Sequence, residues 1–317
     1  MPDLGAPFTI AAAQAAPVFL DREATVEKAC ALIAEAGRAG AKLLAFPETF
    51  IPTYPLWVWN VPAGESRLLN DLYAELAANA VAVPSESTER LGQAARETGV
   101  CVAMGINECE RDGVGGATLY NTLVYIDDAG RVVGKHRKLV PTGGERLVWG
   151  QGDGSTLGVH ALPFARVGGL ICWENYMPLA RYAMYAWGAQ IYVAPTWDRG
   201  EPWLSTLRHI AKEGRVYVIG CCSAMRRDDI PERYEALRRV YAGGDEWLNP
   251  GDSAIVDPNG KLVAGPSQRR EEILYAEVDP RLLVGPKRQL DVVGHYARPD
   301  VFELTVNRDA RPVIRER

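Results

Sequence analysis

Apolar positions along this chain come in two modes. Continuous runs of about 4–8 residues read as strands buried on both faces, and apolar residues at i, i+3, i+4 and i+7 read as helices with one buried stripe. Residues 8–14 predict a first strand, after which Asp21 can cap a helix whose apolar face carries Val26, Cys30, Ile33 and Gly37. Gly40 stops that helix, residues 42–46 form a buried strand, and Pro47-Glu48 terminates it. Residues 49–63, rich in proline and aromatics, predict a structured loop. Leu68, Leu69, Leu72 and Leu76 place a second helix, and residues 86–98 a third, stopped by Gly99. Residues 100–105 return as a strand, and residues 120–126 and 131–133 form a hairpin around Asp127-Asp-Ala-Gly130.

The second half repeats this grammar. Gly40-Ala-Lys-Leu-Leu-Ala-Phe-Pro47 is echoed by Gly188-Ala-Gln-Ile-Tyr-Val-Ala-Pro195, and Gly99-Val-Cys-Val-Ala-Met-Gly105 by Gly214-Arg-Val-Tyr-Val-Ile-Gly220. The hairpin at 126–134 is echoed at 256–264. Two long copies imply a pseudo-twofold pair of sheets rather than a solenoid. The helices can cover one face of each sheet, and the strands are apolar on both faces, so the two remaining faces bury each other. The expected fold is a single α/β domain spanning residues 1–317, a four-layer α-β-β-α sandwich. Residues 226–239 are highly charged and read as a solvated helix, and residues 272–278 as a late strand. Residues 282–317 form a tail with little periodicity, expected at a subunit interface.

Composition narrows the function classes. The net charge of −5 offers no basic surface for nucleic acid or an anionic membrane. The apolar runs are too short to span a bilayer. Six cysteines without a paired framework, and a start lacking a basic-then-apolar leader, place the expectation in the reducing cytoplasm.

Three residues stand where strands end. Residues 167–171 read as a short buried strand, followed by Cys172 and then a helix opened by Pro178. A thiol there meets unpaired N–H groups and the positive end of a helix, which favour the thiolate. The alternative is a small buried hydrophobe. Glu48 ends its own strand, where a carboxylate is either structurally satisfied or poised as a base. Lys138 closes a basic cluster that reads as a solvated face, yet Leu139-Val140 and a Pro-Thr-Gly-Gly turn follow it, so it can point inward. His136 is near enough in sequence to tune Lys138, although a surface role is the expectation. Cys221, Cys222, Cys101 and Cys109 lack histidines at metal-ligand spacing and read as core. Gly150-Gln-Gly-Asp-Gly-Ser155 lacks the lysine of a phosphate loop. No Gly-x-Ser-x-Gly elbow occurs.

These strings resemble the nitrilase superfamily of carbon–nitrogen hydrolases, and within it the true nitrilases. The family's triad matches Glu48 in Phe-Pro-Glu-Thr-Phe, Lys138 in His-Arg-Lys-Leu-Val-Pro-Thr and Cys172 in Cys-Trp-Glu-Asn-Tyr-Met-Pro-Leu. The family's second glutamate matches Glu145 in Gly-Gly-Glu-Arg, and the match continues through residues 149–155 and 294–302. The resemblance implies the same four-layer fold and a nitrile as the small-molecule substrate. It implies Cys172 as nucleophile, Glu48 as base, and Lys138 as stabiliser of the charge on nitrogen. A thioimidate and then a thioester lead to the acid and ammonia, without metal or organic cofactor. Glu145 is an acid/base or orients Lys138. Assembly as a homo-oligomer, a dimer or larger, is also implied. Tyr54, Trp57, Trp59, Trp173, Tyr176, Thr196 and Trp197 are candidates for an apolar substrate wall, with Thr142, Asn175 and Pro195 beside them. An amidase or carbamoyl hydrolase on the same triad is the nearest rival, and a catalytically silent interaction protein a remote one.

Overall fold

A computed structural model describes residues 5–110 and 117–311 of the chain. Residues 1–4, where a leader would begin, and the last six of the tail read at 282–317 lie outside the described residues. The first half comprises β1 (Phe8–Gln14), α1 (Arg22–Arg38), β2 (Ala41–Ala45), α2 (Ser66–Ala78), α3 (Glu86–Thr98), β3 (Cys101–Cys109), β4 (Leu119–Ile126) and β5 (Val132–Arg137). The second comprises β6 (Val159–Ala161), β7 (Arg166–Gly169), α4 (Pro178–Ala186), β8 (Ile191–Thr196), α5 (Glu201–Gly214), β9 (Tyr217–Cys222), β10 (Ala224–Arg226), α6 (Glu235–Val240), β11 (Trp247–Val256), β12 (Leu262–Gln268) and β13 (Glu272–Val278). One sheet runs β13-β1-β2-β3-β4-β5 and the other β10-β11-β9-β8-β7-β6, with β12 paired to β11. Each sheet has a parallel centre, β1-β2-β3 or β7-β8-β9, flanked by antiparallel strands.

The layers follow from strand alternation. On β1, Ile10 and Ala12 face the second sheet and pack in one cluster with Leu43, Leu123, Tyr125, Val167, Ile191, Val193, Ile219 and Ile255. Ala11 and Ala13 face outward, against Val26, Ala29 and Ile33 of α1 and Leu91 of α3. Tyr192 and Val218 of the second sheet face Met184 of α4 and Leu204, Leu207 and Ile210 of α5. The period of two, with both faces buried, thus produces the α-β-β-α sandwich.

The internal repeat is visible in the backbone. Gly40 and Gly188, which stop equivalent helices, adopt φ of 78° and 83°, and the hairpin glycines Gly130 and Gly260 adopt 78° and 83°. One echo shifts by a residue. The left-handed cap equivalent to Gly99 is Arg215, at φ 51°, and not Gly214. Gly214 answers to packing instead, because a Cβ there would lie 2.3 Å from the Tyr185 ring. The charged stretch is a chain of short turns ending in α6 rather than one solvated helix, with Ile230 and Leu237 buried beneath it. Pro231 removes a backbone donor and breaks the helix.

The tail lies on its own chain, where Arg308 sits over the Trp187 ring at 5.2 Å and the Arg311 amide donates to Asp153 Oδ2 at 2.8 Å. Among the described residues no helix is long and apolar enough to cross a membrane.

His160 gives the fold an acid-sensitive point. Its ring packs on Tyr125 and covers Gly134, and burial, aided by the nearby His136 and Arg308, lowers its pKa from 6.5 to about 4. A depressed folded-state pKa means that its contribution to stability is intact above pH 6.5 and is lost as pH falls towards 4. His160→Gln, neutral throughout, is expected to lose on the order of 2 kcal/mol less than wild type between pH 7 and pH 4 in urea titrations. Equal losses would assign acid sensitivity elsewhere.

Candidate active site

The carboxyl ends of β2, β7 and β8 and the end of β5 converge at one rim of the buried interface between the sheets. Glu48 follows β2, Lys138 follows β5, Cys172 lies beyond β7, and Thr196 closes β8. Thr196 is the repeat's counterpart of Glu48, since Pro195-Thr196 echoes Pro47-Glu48. Glu48, Lys138 and Glu145 are each 1% exposed and Cys172 5%.

Lys138 Nζ is the hub. It donates to Glu48 Oε1 at 2.9 Å and to Glu145 Oε2 at 2.8 Å. Glu48 also accepts from Asn121 Nδ2 at 2.7 Å and, through Oε2, from the Trp197 backbone N–H at 2.8 Å. Glu145, in a 3-10 turn (Gly143–Leu147), accepts from the Thr142 N–H and from the Tyr54 hydroxyl, both at 2.7 Å. Each carboxylate is therefore locked in place on both oxygens. Thr196 Oγ1 donates to Cys172 Sγ at 3.2 Å and accepts the Asp198 N–H at 2.8 Å.

Two backbone positions carry strain. Cys172 has φ 53° and Thr49, directly after Glu48, has φ 45°. Such left-handed geometry at non-glycine residues costs on the order of 1–3 kcal/mol each and persists where surroundings over-determine it. Gly105 of β3 helps to do so, because a Cβ there would lie 2.1 Å from the Pro47 carbonyl oxygen and 2.7 Å from the Thr49 nitrogen. Gly105→Ala is therefore expected to push the turn outward, lowering kcat by about 10²-fold through a displaced Glu48 and costing about 1–3 kcal/mol of stability. Retained kcat at lowered Tm would mean that Glu48 tolerates the shift.

Charges are unevenly matched, with one ammonium for two buried carboxylates. Burial raises the Glu48 pKa; Lys138 opposes the rise and Glu145 adds to it. Burial disfavours the Lys138 cation, but Glu48, Cys172 and Glu145 together hold it firmly protonated. Burial and the adjacent Glu48 charge push the Cys172 thiol up to about 12, against the pull of Lys138. This corrects the expectation of a stabilised thiolate. The chain after Cys172 makes only a short 3-10 turn, Cys172–Tyr176, before α4 begins at Pro178, and burial outweighs that terminus. The resting thiol keeps its proton until an acceptor removes it, and Glu48, with its raised pKa, is matched to that transfer.

The remaining sequence candidates divide. Tyr54 stacks on Trp197 with centroids 4.6 Å apart and planes at 3°, and Trp59 Nε1 donates to the Tyr54 hydroxyl at 2.9 Å. Those three rings border the Glu145 side of the site. Trp57 is not among them. It is 1% exposed and packs with Phe19, Leu72 and Leu76 in the apolar cluster that also holds Tyr54 and has Trp197 packed against it, so it is core rather than exposed wall. Asn175 is fully buried, donates to the Leu170 and Cys172 carbonyls and accepts from Tyr192, so it braces the Cys172 turn rather than facing a pocket. Pro195 is buried in β8. Trp173 and Tyr176 are half-exposed, with Trp173 Nε1 donating to Asp198 at 2.7 Å. Cys101, Cys221 and Cys222 are buried and Cys109 partly so. His136, expected at the surface, is 1% exposed with Nε2 3.0 Å from both Glu174 oxygens. Sequence reasoning missed Asn121 and Glu174. The alternation His136, Lys138 on one strand edge was the available signal for His136; Asn121 carried none.

A thiol, a base and a fixed cation sealed at the rim of a four-layer sandwich define an α-β-β-α hydrolase. The chain belongs to the carbon–nitrogen hydrolase family, whose model matches residues 9–285. It is 46% identical over 312 residues to an aliphatic nitrilase of Sinorhizobium fredii, covering 97% of this chain and 98% of that one. It is 43% identical to a nitrilase of Bradyrhizobium diazoefficiens, covering 91% and 88%. A bifunctional nitrilase/nitrile hydratase of Nicotiana tabacum is 41% identical, covering 92% and 84%. Among solved structures, Saccharomyces cerevisiae Nit3, a nitrilase-superfamily member, superposes with TM-score 0.70 at 22% identity over 92% of this chain and 96% of that one. That likeness concerns the fold.

Proposed function

We propose that this enzyme hydrolyses an organic nitrile to the carboxylic acid and ammonia through covalent intermediates on Cys172. The observation that carries the reading is the Lys138 ammonium, fully buried between Glu48 and Glu145 beside the thiol. A nitrile carbon is a weak electrophile, and a thiolate is the strongest nucleophile a side chain offers near neutral pH. Glu48 accepts the thiol proton as sulfur adds to carbon, and the proton passes to the nitrogen, leaving a thioimidate. Lys138 meets the charge growing on nitrogen in a dry site, where a fixed donor acts most strongly. Glu48 then draws a proton from water as its oxygen adds to the thioimidate carbon. Glu48 passes that proton to the nitrogen, the new hydroxyl gives up its own proton to the departing nitrogen through Glu48 as the carbon–nitrogen bond breaks, ammonia leaves, and a thioester remains. A second water, activated in the same way, breaks the carbon–sulfur bond to give the acid and restore the thiol. Glu145 keeps Lys138 charged and aimed.

The choice of nitrile over amide rests on the names of the relatives. Ammonia release from phenylacetonitrile, a short aliphatic nitrile and their amides tests it. Turnover of nitriles but not of amides supports the reading, and turnover of amides alone replaces it with an amidase. The ratio of aromatic to aliphatic rates reports whether Tyr54, Trp59 and Trp197 wall the substrate.

The reading includes a homo-oligomer. Leu179, Tyr296, Val301 and Phe302 expose apolar surface at a groove of about 980 Å³ between α4 and the tail, a surface suited to a second copy. Light scattering at the monomer mass would remove this part. It also includes the cytosol, supported by the absence of disulfides among the described residues.

A further inference from the structure

Glu174 lies two residues beyond Cys172 and the hydrolytic steps above leave it unused. Its carboxylate is fully buried, yet it collects donors from both sheets. Oε2 accepts the Ile171 N–H at 2.9 Å, from the residue before Cys172. Oε1 accepts the Leu139 N–H at 2.8 Å, from the residue after Lys138. His136 Nε2, two residues before Lys138, reaches both oxygens at 3.0 Å. One side chain thus ties the residue preceding the thiol to both flanks of the lysine. Burial alone would raise its pKa, but His136 and the two backbone donors hold it below the ordinary carboxylate range.

We propose that Glu174, with His136, is a positioning clamp that fixes Lys138 of the first sheet against Cys172 of the second. Burying an ionised carboxylate and an imidazole costs more than packing apolar groups of similar volume, so adhesion between the sheets does not explain them. Placement does. The cluster in the central interface is apolar and non-directional, while Lys138 and Cys172 enter the rim from different sheets. Charge-assisted hydrogen bonds converging on one carboxylate set their relative position, and a misplacement of about 1 Å can cost 10²-fold in rate. The other ties of Lys138 run within its own half: its amide donates to the Asn121 carbonyl at 2.8 Å and its carbonyl accepts from Gly152 at 2.9 Å.

Glu174→Gln tests the clamp. The amide keeps the shape but puts a donor where one N–H must be received, so one tie opens. The inference rests on the nitrile-hydrolase reading for its assay, and ammonia release is measured per Cys172 thiol titrated with iodoacetamide. The expected result is kcat lowered about 10²-fold with KM within about twofold of wild type. His136→Gln, which retains a side-chain donor, is expected to keep kcat within tenfold of wild type, whereas His136→Phe falls below it. Full kcat per thiol in Glu174→Gln, with only Tm lowered, would overturn the clamp and leave a structural role. If Glu174→Gln does not accumulate folded, His136→Phe decides: kcat equal to that of His136→Gln overturns the clamp. A wild-type enzyme inactive on every nitrile would instead overturn the activity reading itself.

Discussion

Cys172→Ala is expected to reduce ammonia release from nitriles to the uncatalysed background while the protein remains folded. The loss is total because each intermediate is a bond to Cys172 Sγ. Cys222, paired with Thr196 across β8 and β9, and Cys221 are fully buried, and burial raises both pKa values well above the ordinary range. The cost to stability is small. Alanine removes one sulfur atom from a tight site, worth about 1–2 kcal/mol, and Thr196 Oγ1 loses an acceptor but keeps its bond from the Asp198 N–H. Calorimetry beside the ammonia assay separates the two effects. Residual turnover above about one part in 10⁴ of wild type would require another nucleophile.

Lys138→Met is expected to damage both activity and stability. Removing the ammonium leaves Glu48 and Glu145 buried with no cation between them. Breaking such a buried pair costs about 3–5 kcal/mol, because the stranded charges cannot return to water. The penalty should depend on pH with a definite sign. The Glu48 pKa is already raised above 4.5 in the folded enzyme, and losing Lys138 removes its main stabiliser. A raised folded-state pKa favours the fold at low pH and loses that contribution as pH rises through it. Lys138→Met should therefore be more stable near pH 5 than near pH 8 in urea titrations, and adding Glu145→Gln should recover part of the loss. Activity should fall by at least about 10³-fold, since the charge developing on nitrogen loses its fixed partner. Additive effects of Lys138→Met and Glu145→Gln on stability would argue that the three groups are not one coupled unit.

Much of this was legible in the sequence. Strands buried on both faces have an apolar signal with little ambiguity, so β1 matches its predicted bounds, and the half-buried β13 matches through its alternating pattern. The pseudo-repeat located the second sheet because the same left-handed turns demand glycine at Gly40, Gly188, Gly130 and Gly260. It slipped where glycine serves packing, at Gly214, and a left-handed cap fell on Arg215. Glu48, Lys138, Glu145 and Cys172 were found through their motifs, and the structure brings them together. What remained hidden depended on distant partners. His136 reads as one more basic residue until Glu174, 38 positions away, is seen to meet it. Trp57 reads as a substrate wall until its burial in the cluster it shares with Tyr54, Leu72 and Leu76 is seen. The thiol's proton is not legible in the sequence because a local turn can be read there, whereas burial beside Glu48 cannot.

The central claim is that a nitrile becomes covalently attached to Cys172, and its most direct test is the mass of the Cys172 peptide from enzyme quenched in acid during turnover of phenylacetonitrile. The account predicts a phenylacetyl thioester or its thioimidate precursor on Cys172, absent from Cys172→Ala. Full turnover with an unmodified Cys172 peptide, or with the adduct on another residue, would contradict it.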